Sequence, residues 1–278
     1  MNIPIKTPKE IQIMKEGGKR LSKIFFQLSK MIKLGTSLLD IEKKAIELIG
    51  SARGEPAFTK VPKYHWATCL NINEEIVHGV PKDYAIKLGD VVNIDIGLYY
   101  KGFNTDMSAT FLAENVNSTP GLRNFRVKLE KENPGVDNRK KFLKTGKKAL
   151  EEAKKQAKPG NKVGHISKKI QEIIEGAGYS CSRTLTGHGI GRKLHERPPI
   201  PCFLQGKIED TPLLKPNMTL AIEVIYCMGK PDLAVDPKDK WTIRTKDGKI
   251  SGVFEETIAV AGDGHLVLTK LPSRLNFC

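Results

Sequence analysis

The stretch Gly160-Asn161-Lys162-Val163-Gly164-His165-Ile166-Ser167-Lys168-Lys169-Ile170-Gln171-Glu172-Ile173-Ile174 repeats, in register, a segment from early in the chain. With Gly160 set on Gly35, Ile166 falls on Ile41, Lys168-Lys169 on Lys43-Lys44, Glu172 on Glu47 and Ile173-Ile174 on Leu48-Ile49. Each copy follows a longer helical pattern. Thr7-Pro8-Lys9-Glu10 is a capping box with Pro at the first helical position. Ile11, Met14, Leu21, Ile24, Phe25, Leu28 and Ile32 then recur at helical spacing up to Gly35. Thr36 or Ser37 caps a second helix with Leu38, Ile41, Ala45, Leu48 and Ile49 on its inner face. Residues 141–158 are the later counterpart of the first helix, ended by Lys158-Pro159-Gly160. Strand-like stretches follow near 66–72 and 91–112. Two halves, each made of helix, glycine turn, helix and strands, indicate a pseudo-twofold molecule and not a long solenoid. A strand–helix–strand alternation is missing, so we expect an α+β fold with helices on one face of a mainly antiparallel sheet. Residues 114–140, punctuated by Asn117, Ser118, Pro120, Gly121, Asn133, Pro134 and Gly135, fit neither half and read as an insertion between them.

Composition narrows the class. The 278 residues are 39% hydrophobic, enough for a sizeable core. No apolar run approaches the roughly 20 residues of a membrane helix, and Met1 to Glu10 lacks the apolar core of a secretory signal. Five cysteines without paired spacing fit reduced thiols in a cytoplasm better than a disulfide framework. The net charge is +15, and residues 115–150 hold ten Lys or Arg against three acids. Such a patch suits RNA, an acidic protein, or simply a solvated helix face.

The chemistry rests on five residues: Asp95, Asp106, His188, Glu223 and Glu255. Val91 to Tyr100 alternates like a strand, Lys101-Gly102 makes a two-residue turn, and Phe103 to Leu112 returns. That register pairs Tyr100 with Phe103 and Gly97 with Asp106, making Asp95 the diagonal neighbour of Asp106 at roughly 7–8 Å. Two half-buried carboxylates at that distance repel unless a cation lies between them. His188 stands between Gly187 and Gly189, glycines that admit close backbone approach, and His195 follows seven residues on. Glu223 is the one charge in the apolar run Met218 to Tyr226. The run Val253 to Val260 carries Glu255 and Glu256 on opposite faces, and periodicity alone leaves open which of the two points inward.

Together these residues resemble the type I methionine aminopeptidases, over nearly the whole chain except residues 114–140. The shared elements are Asn93-Ile94-Asp95, Asp106, Gly187-His188-Gly189-Ile190-Gly191 with His195, Glu223 in its strand, and Glu255 before Thr257. The resemblance implies the pita-bread fold: pseudo-twofold halves, a curved antiparallel sheet and helices on its outer face, in a single catalytic domain. It implies two divalent ions (Mn, Fe, Co or Zn), with Asp95 on one, His188 and Glu223 on the other, and Asp106 and Glu255 bridging both. A metal-bridged hydroxide would attack the first peptide carbonyl. Glu223 would shuttle the proton, and His78 and His195 would hydrogen-bond the scissile peptide. Tyr64, Cys69 and Trp241 would form the methionine pocket. The expected reaction is removal of N-terminal methionine from peptides and nascent proteins, by a cytoplasmic monomer with no membrane partner. The basic stretch 115–150 would dock it on ribosomal RNA.

Departures from the family pattern bear on substrate preference. Leu194 stands where an aromatic usually precedes the second histidine, Val61 to Trp66 is unlike the usual run before the pocket cysteine, and Glu256 takes a place often held by histidine. Two other readings share the residues: a proline-specific relative, which usually carries an extra N-terminal domain, and an inactive member that binds RNA or protein, which typically lacks ligands.

Overall fold

Thr7 caps the first helix from both sides of its box. Its side chain accepts from the Glu10 N–H at 3.3 Å, while the Glu10 carboxylate accepts from the Thr7 N–H at 2.7 Å. Helix α1 (Pro8–Ser29) follows, then α2 (Leu38–Ser51), capped by Ser37. The computed structural model describes residues 3–114 and 135–271. Most of the expected insertion at 114–140, with Arg123, Arg126, Lys128 and Lys131, lies outside these residues. The second helix pair is α3 (Gly135–Lys154) and α4 (Val163–Gly176). Helix α4 starts and ends where the superposed repeat places it, and like α2 it is 14 residues long. Helix α3 corrects the expected span of 141–158. It begins six residues earlier, at Gly135, with Asp137 in its first turn, where an acid favours a helix start.

The strands are β1 (Glu55–Pro56), β2 (Thr68–Ile72), β3 (Glu75–Val77), β4 (Val91–Tyr100) and β5 (Phe103–Leu112) in the first half. The second half has β6 (Ser180–Cys181), β7 (Thr186–Gly189), β8 (Glu196–Pro201), β9 (Thr219–Cys227), β10 (Leu233–Val235), β11 (Ile243–Thr245), β12 (Ser251–Val260) and β13 (His265–Val267). The main sheet runs β1-β4-β5-β12-β9-β7-β8, with β2 on β4, β6 on β9 and β13 on β12; β10, β11 and β3 form a smaller sheet. Every pairing described is antiparallel. The β4–β5 hairpin has the expected register, Tyr100 opposite Phe103 and Gly97 opposite Asp106. Lys101 and Gly102 both take positive φ, as its two-residue turn requires.

The halves correspond in strand register as well as in helix order. Strand β1 meets β4 at Glu55–Tyr99, and β6 meets β9 at Ser180–Cys227. Four residues back from Tyr99 is Asp95, and four back from Cys227 is Glu223. These two acids therefore hold equivalent places in the two halves. The central seam is β5 against β12, with Ser108 opposite Glu255. Helix α1 packs on β4 and β5, and α3 on β9 and β12, so the helices cover one face and leave the other for the site.

Candidate metal centre

Strand β12 lies between β5 and β9, and Glu255 sits opposite Glu223 on one side and Ser108 on the other. The helix face settles the parity left open by periodicity. Glu256 points to α3, where it pairs with the Lys154 ammonium and accepts the Leu271 N–H at 2.6 Å. Glu255, on the opposite side, points into the cleft. Asp106, His188 and Glu255 each offer a ligand atom within 4.8 Å of the others. His188 Nε2 is 3.4 Å from a Glu223 oxygen, and the Asp95 carboxyl lies against Asp106. The five residues thus form a continuous series with Asp106 and Glu255 at its middle.

The Gly-rich run around His188, read from sequence as a run whose glycines admit close backbone approach, includes strand β7. The strand pairs with β8 on one side and with β9 on the other, where His188 lies opposite Ala221. The flanking glycines are required by this packing. A Cβ on Gly187 would meet the Ala221 carbonyl oxygen at 2.6 Å, and one on Gly189 the Arg197 carbonyl oxygen at 2.1 Å. The imidazole is held by contact of Nδ1 with the Gly189 carbonyl at 2.9 Å. An Nδ1–H donating there leaves Nε2 with a lone pair towards the acids.

Electrostatics single out these groups. Burial pushes Asp106 up to about 7. Burial, with repulsion from the neighbouring acids added, drives Asp95, Glu223 and Glu255 well above the usual carboxylate range. Of the Asp pair, expected to be half-buried, Asp106 is buried and Asp95 half-buried. Burial lowers His188 to about 3 and His78 to about 4, with His195 adding to both shifts, and lowers His195 as well. All three imidazoles are neutral near pH 7. A buried Asp95 Oδ1 and a buried Glu255 Oε1 have no hydrogen-bond partner in the protein. Buried carboxylate oxygens normally have one, so these two call for a cation. Four carboxyls and one neutral imidazole suit an oxygen-preferring divalent ion. The donor set therefore fits the metal that the resemblance implies.

The acids open into a cleft of about 630 Å³ whose walls include every residue expected at the site: Tyr64, Cys69, His78, His195 and Trp241 besides the five. His78 follows β3 at φ 57°, a left-handed conformation that costs a non-glycine residue energy. It is held because the Gly79 N–H donates to Asn71 Oδ1 at 2.8 Å and the Gly79 carbonyl accepts from the Leu70 N–H at 2.9 Å. The His195 ring stands edge-on to His188, 4.5 Å between centres. Tyr64 packs edge-on against Trp241 at 5.1 Å and donates its hydroxyl to the Thr68 carbonyl at 2.9 Å. Burial and the nearby Asp95 push the Cys69 thiol up, so it stays protonated. Sequence reasoning missed Phe58, Val61 and Pro199 as cleft walls. The one signal for Phe58 was Gly97 in the middle of a strand, where a Cβ would meet the Phe58 ring at 2.9 Å.

Comparison with known proteins places the chain in a family. A methionine aminopeptidase 1 from Bacillus subtilis is 34% identical over 266 residues, covering 96% of this chain and 98% of its own. The crystal structure of methionine aminopeptidase from Thermotoga maritima superposes with a TM-score of 0.85 at 34% identity, over 97% of this chain and all of its own. A prolidase from Pyrococcus furiosus, with a TM-score of 0.72 at 23% identity, covers 96% of this chain and 66% of its own, and shares the pita-bread fold alone. The model of metallopeptidase family M24 matches residues 12–261. On that match and on its relatives, the chain belongs to metallopeptidase family M24.

Proposed function

We propose that the protein is a methionyl aminopeptidase that uses two divalent ions to remove the N-terminal methionine of peptides and nascent proteins. The observation that carries this reading is that four carboxyls, those of Asp106 and Glu255 buried and those of Asp95 and Glu223 half-buried, gather with His188 in a cleft also lined by Tyr64, Cys69 and Trp241. Asp95 would hold one ion, and His188 with Glu223 the other. Asp106 and Glu255, central to the cluster, would touch both. Mn, Fe, Co and Zn all suit such a donor set.

When bound, the ions supply a Lewis acid for the scissile carbonyl and bring the pKa of a water towards neutrality. The chain's residues do the rest. The free α-amine of the substrate is drawn to the acids, which limits cleavage to residue one. The methionine thioether lies against aromatic and thiol walls that adapt to a flexible chain. His78 and His195, both neutral, donate to the scissile peptide, and His195 steadies its carbonyl oxygen as charge grows there. Glu223 takes a proton from the attacking water and hands it to the leaving amine.

The chain would act as one catalytic unit with an insertion at about 114–140, as a cytoplasmic monomer. Among the described residues, no helix is long and apolar enough to cross a membrane. Docking on ribosomal RNA is supported by the exposed side of α3, where Lys141, Lys144 and Lys148 lie at helical spacing. Arg139 and Lys140 are already engaged, by the Gly89 carbonyl and by Glu114. Charge reversal at Lys141, Lys144 and Lys148 should therefore weaken ribosome binding and reduce its salt dependence.

The test is methionine release from Met-Gly-Met beside an Ala-Pro peptide, with stripped protein and added Mn²⁺, Fe²⁺ or Co²⁺. Metal-dependent cleavage of the first alone, lost in His188→Ala, is the expected result. Cleavage of the proline peptide alone would move the reading to the sister activity. Silence of a folded protein with every ion would favour a binding role.

A further inference from the structure

Lys6 lies in the segment before α1, yet its ammonium is buried. It pairs with Glu196 at 2.5 Å, and the two side chains are 4% and 6% exposed. The Lys6 N–H donates to the Asn217 carbonyl at 3.0 Å, which ties this segment to the sheet. The second Glu196 oxygen accepts the Lys193 N–H at 3.1 Å. One carboxylate thus joins the N-terminal segment to the turn carrying Leu194 and His195. Nearby, Arg192 pairs with Glu10 at 2.5 Å. On its inner side, the turn is held by Asn104, whose side chain donates to the Gly191 and Arg192 carbonyls at 3.0 and 3.2 Å. A Cβ on Gly191 would meet Lys6 Cε at 2.3 Å, so glycine there makes room for the lysine stem.

We propose that Lys6 is a positioning residue for His195: through Glu196 it fixes the turn that presents the imidazole to the substrate peptide. Stability alone gives no reason for an ion pair here, because an apolar pair of similar volume commonly packs as stably. An ion pair does give direction. Glu196 must reach both the ammonium and the Lys193 N–H, and that requirement sets the path of the backbone immediately before and after His195. The ammonium also cancels a negative charge on the wall of a cleft already crowded with acids.

The inference rests on the role proposed for His195. Its test uses the metal-loaded full chain with Met-Gly-Met. Lys6→Met and Glu196→Gln should each lower kcat roughly ten- to a hundredfold, the scale of a small misplacement of a catalytic group. Metal affinity should stay within about twofold, since no ligand moves, and Lys6→Arg should recover most of the rate. Adding Lys6→Met to His195→Ala should cost nothing further, because residues acting through one group are not additive. Hydrogen exchange gives a readout independent of activity: amides of residues 191–196 should exchange faster in Lys6→Met. A Lys6→Met enzyme as fast as the parent would overturn the proposal, as would a Lys6→Met loss of equal size in the His195→Ala background. If the parent itself releases no methionine, the functional reading fails separately, and unchanged exchange at 191–196 would still overturn the clamp.

Discussion

Stripped of divalent ions, the protein should lose stability as pH rises. Asp106 is pushed from 3.8 to about 7 by burial, and Asp95, Glu223 and Glu255 are driven well above the usual range. In the unfolded chain these groups release their protons near pH 4. Between the unfolded and folded values the folded state binds more protons, so stability falls with pH by about 1.4 kcal/mol per unit for each proton retained. His188 and His78 act in the opposite sense. Their folded values, about 3 and about 4, are depressed, so they cost stability as pH falls below the ordinary histidine value of roughly 6.5. The two effects oppose each other below that value; above it the carboxyls act unopposed, joined towards pH 8.5 by the buried thiols, whose pKa values are also raised. Asp106 alone, at about 7, predicts a loss of about 1 kcal/mol between pH 6.5 and 8.5, and the other raised carboxyls add to it in the same direction. Urea denaturation of chelator-treated protein across that window measures it directly. Ions at a hundredfold excess over their dissociation constant should add about 2.7 kcal/mol. They should add more at the higher pH, where fewer protons compete for the ligands. Glu255→Gln removes one charge from the cluster and should flatten the slope of the stripped protein. Stability that stays level or rises from pH 6.5 to 8.5 would refute the view that four acids share one desolvated site.

His188→Ala should weaken divalent-ion binding by at least tenfold in calorimetric titration, the lower end of what outer-shell changes already cost. Lys154→Met leaves Glu256 buried without its cation and should cost about 3–5 kcal/mol in denaturant unfolding. Lys154→Met with Glu256→Gln should recover most of that, since the glutamine still accepts the Leu271 N–H. Gly189→Ala drives a methyl against the Arg197 carbonyl and should lower stability by about 3 kcal/mol with loss of metal binding, measured by thermal unfolding with and without Mn²⁺.

What the sequence made legible follows the range of the forces involved. The β4–β5 hairpin was readable to the residue because turn chemistry and alternation act over a few positions, and together they placed Asp95 beside Asp106. Helix α4 was readable from its repeat, whereas α3, which the repeat does not cover, starts six residues before its expected span. Strand β7 was not readable, because Gly187 and Gly189 carry no side chains to alternate, and its partners Ala221 and Leu220 are some 30 residues on. Glu255 and Glu256 were equally apolar in context. Their directions depend on Lys154, which a helix over a hundred residues away brings to one face of β12. The distant pairing of Lys6 with Glu196 left no local trace in either segment.

The repeat also bears on why the site is proposed to hold two ions. Asp95 and Glu223 occupy equivalent register positions, so each half contributes one acid at its own side of the seam. Glu255 comes from the seam itself, opposite Ser108 and Glu223, and Asp106 from the strand beside it. Two outer acids related by pseudosymmetry, with two acids between them, would give the two proposed cation positions their own outer ligands and shared central ones. His188 breaks the symmetry. It lies opposite Ala221, and the equivalent residue two before Asp95 is Asn93, which pairs with Asn71. Asn71 spends its side chain on Asn93 and on the Gly79 N–H, supporting His78 and not a metal. On the proposed roles, one half would supply a nitrogen ligand where the other orients a substrate-facing histidine. The two proposed ion positions are therefore chemically unequal, and Asn71→Ala should disturb His78 and turnover while leaving ion binding intact.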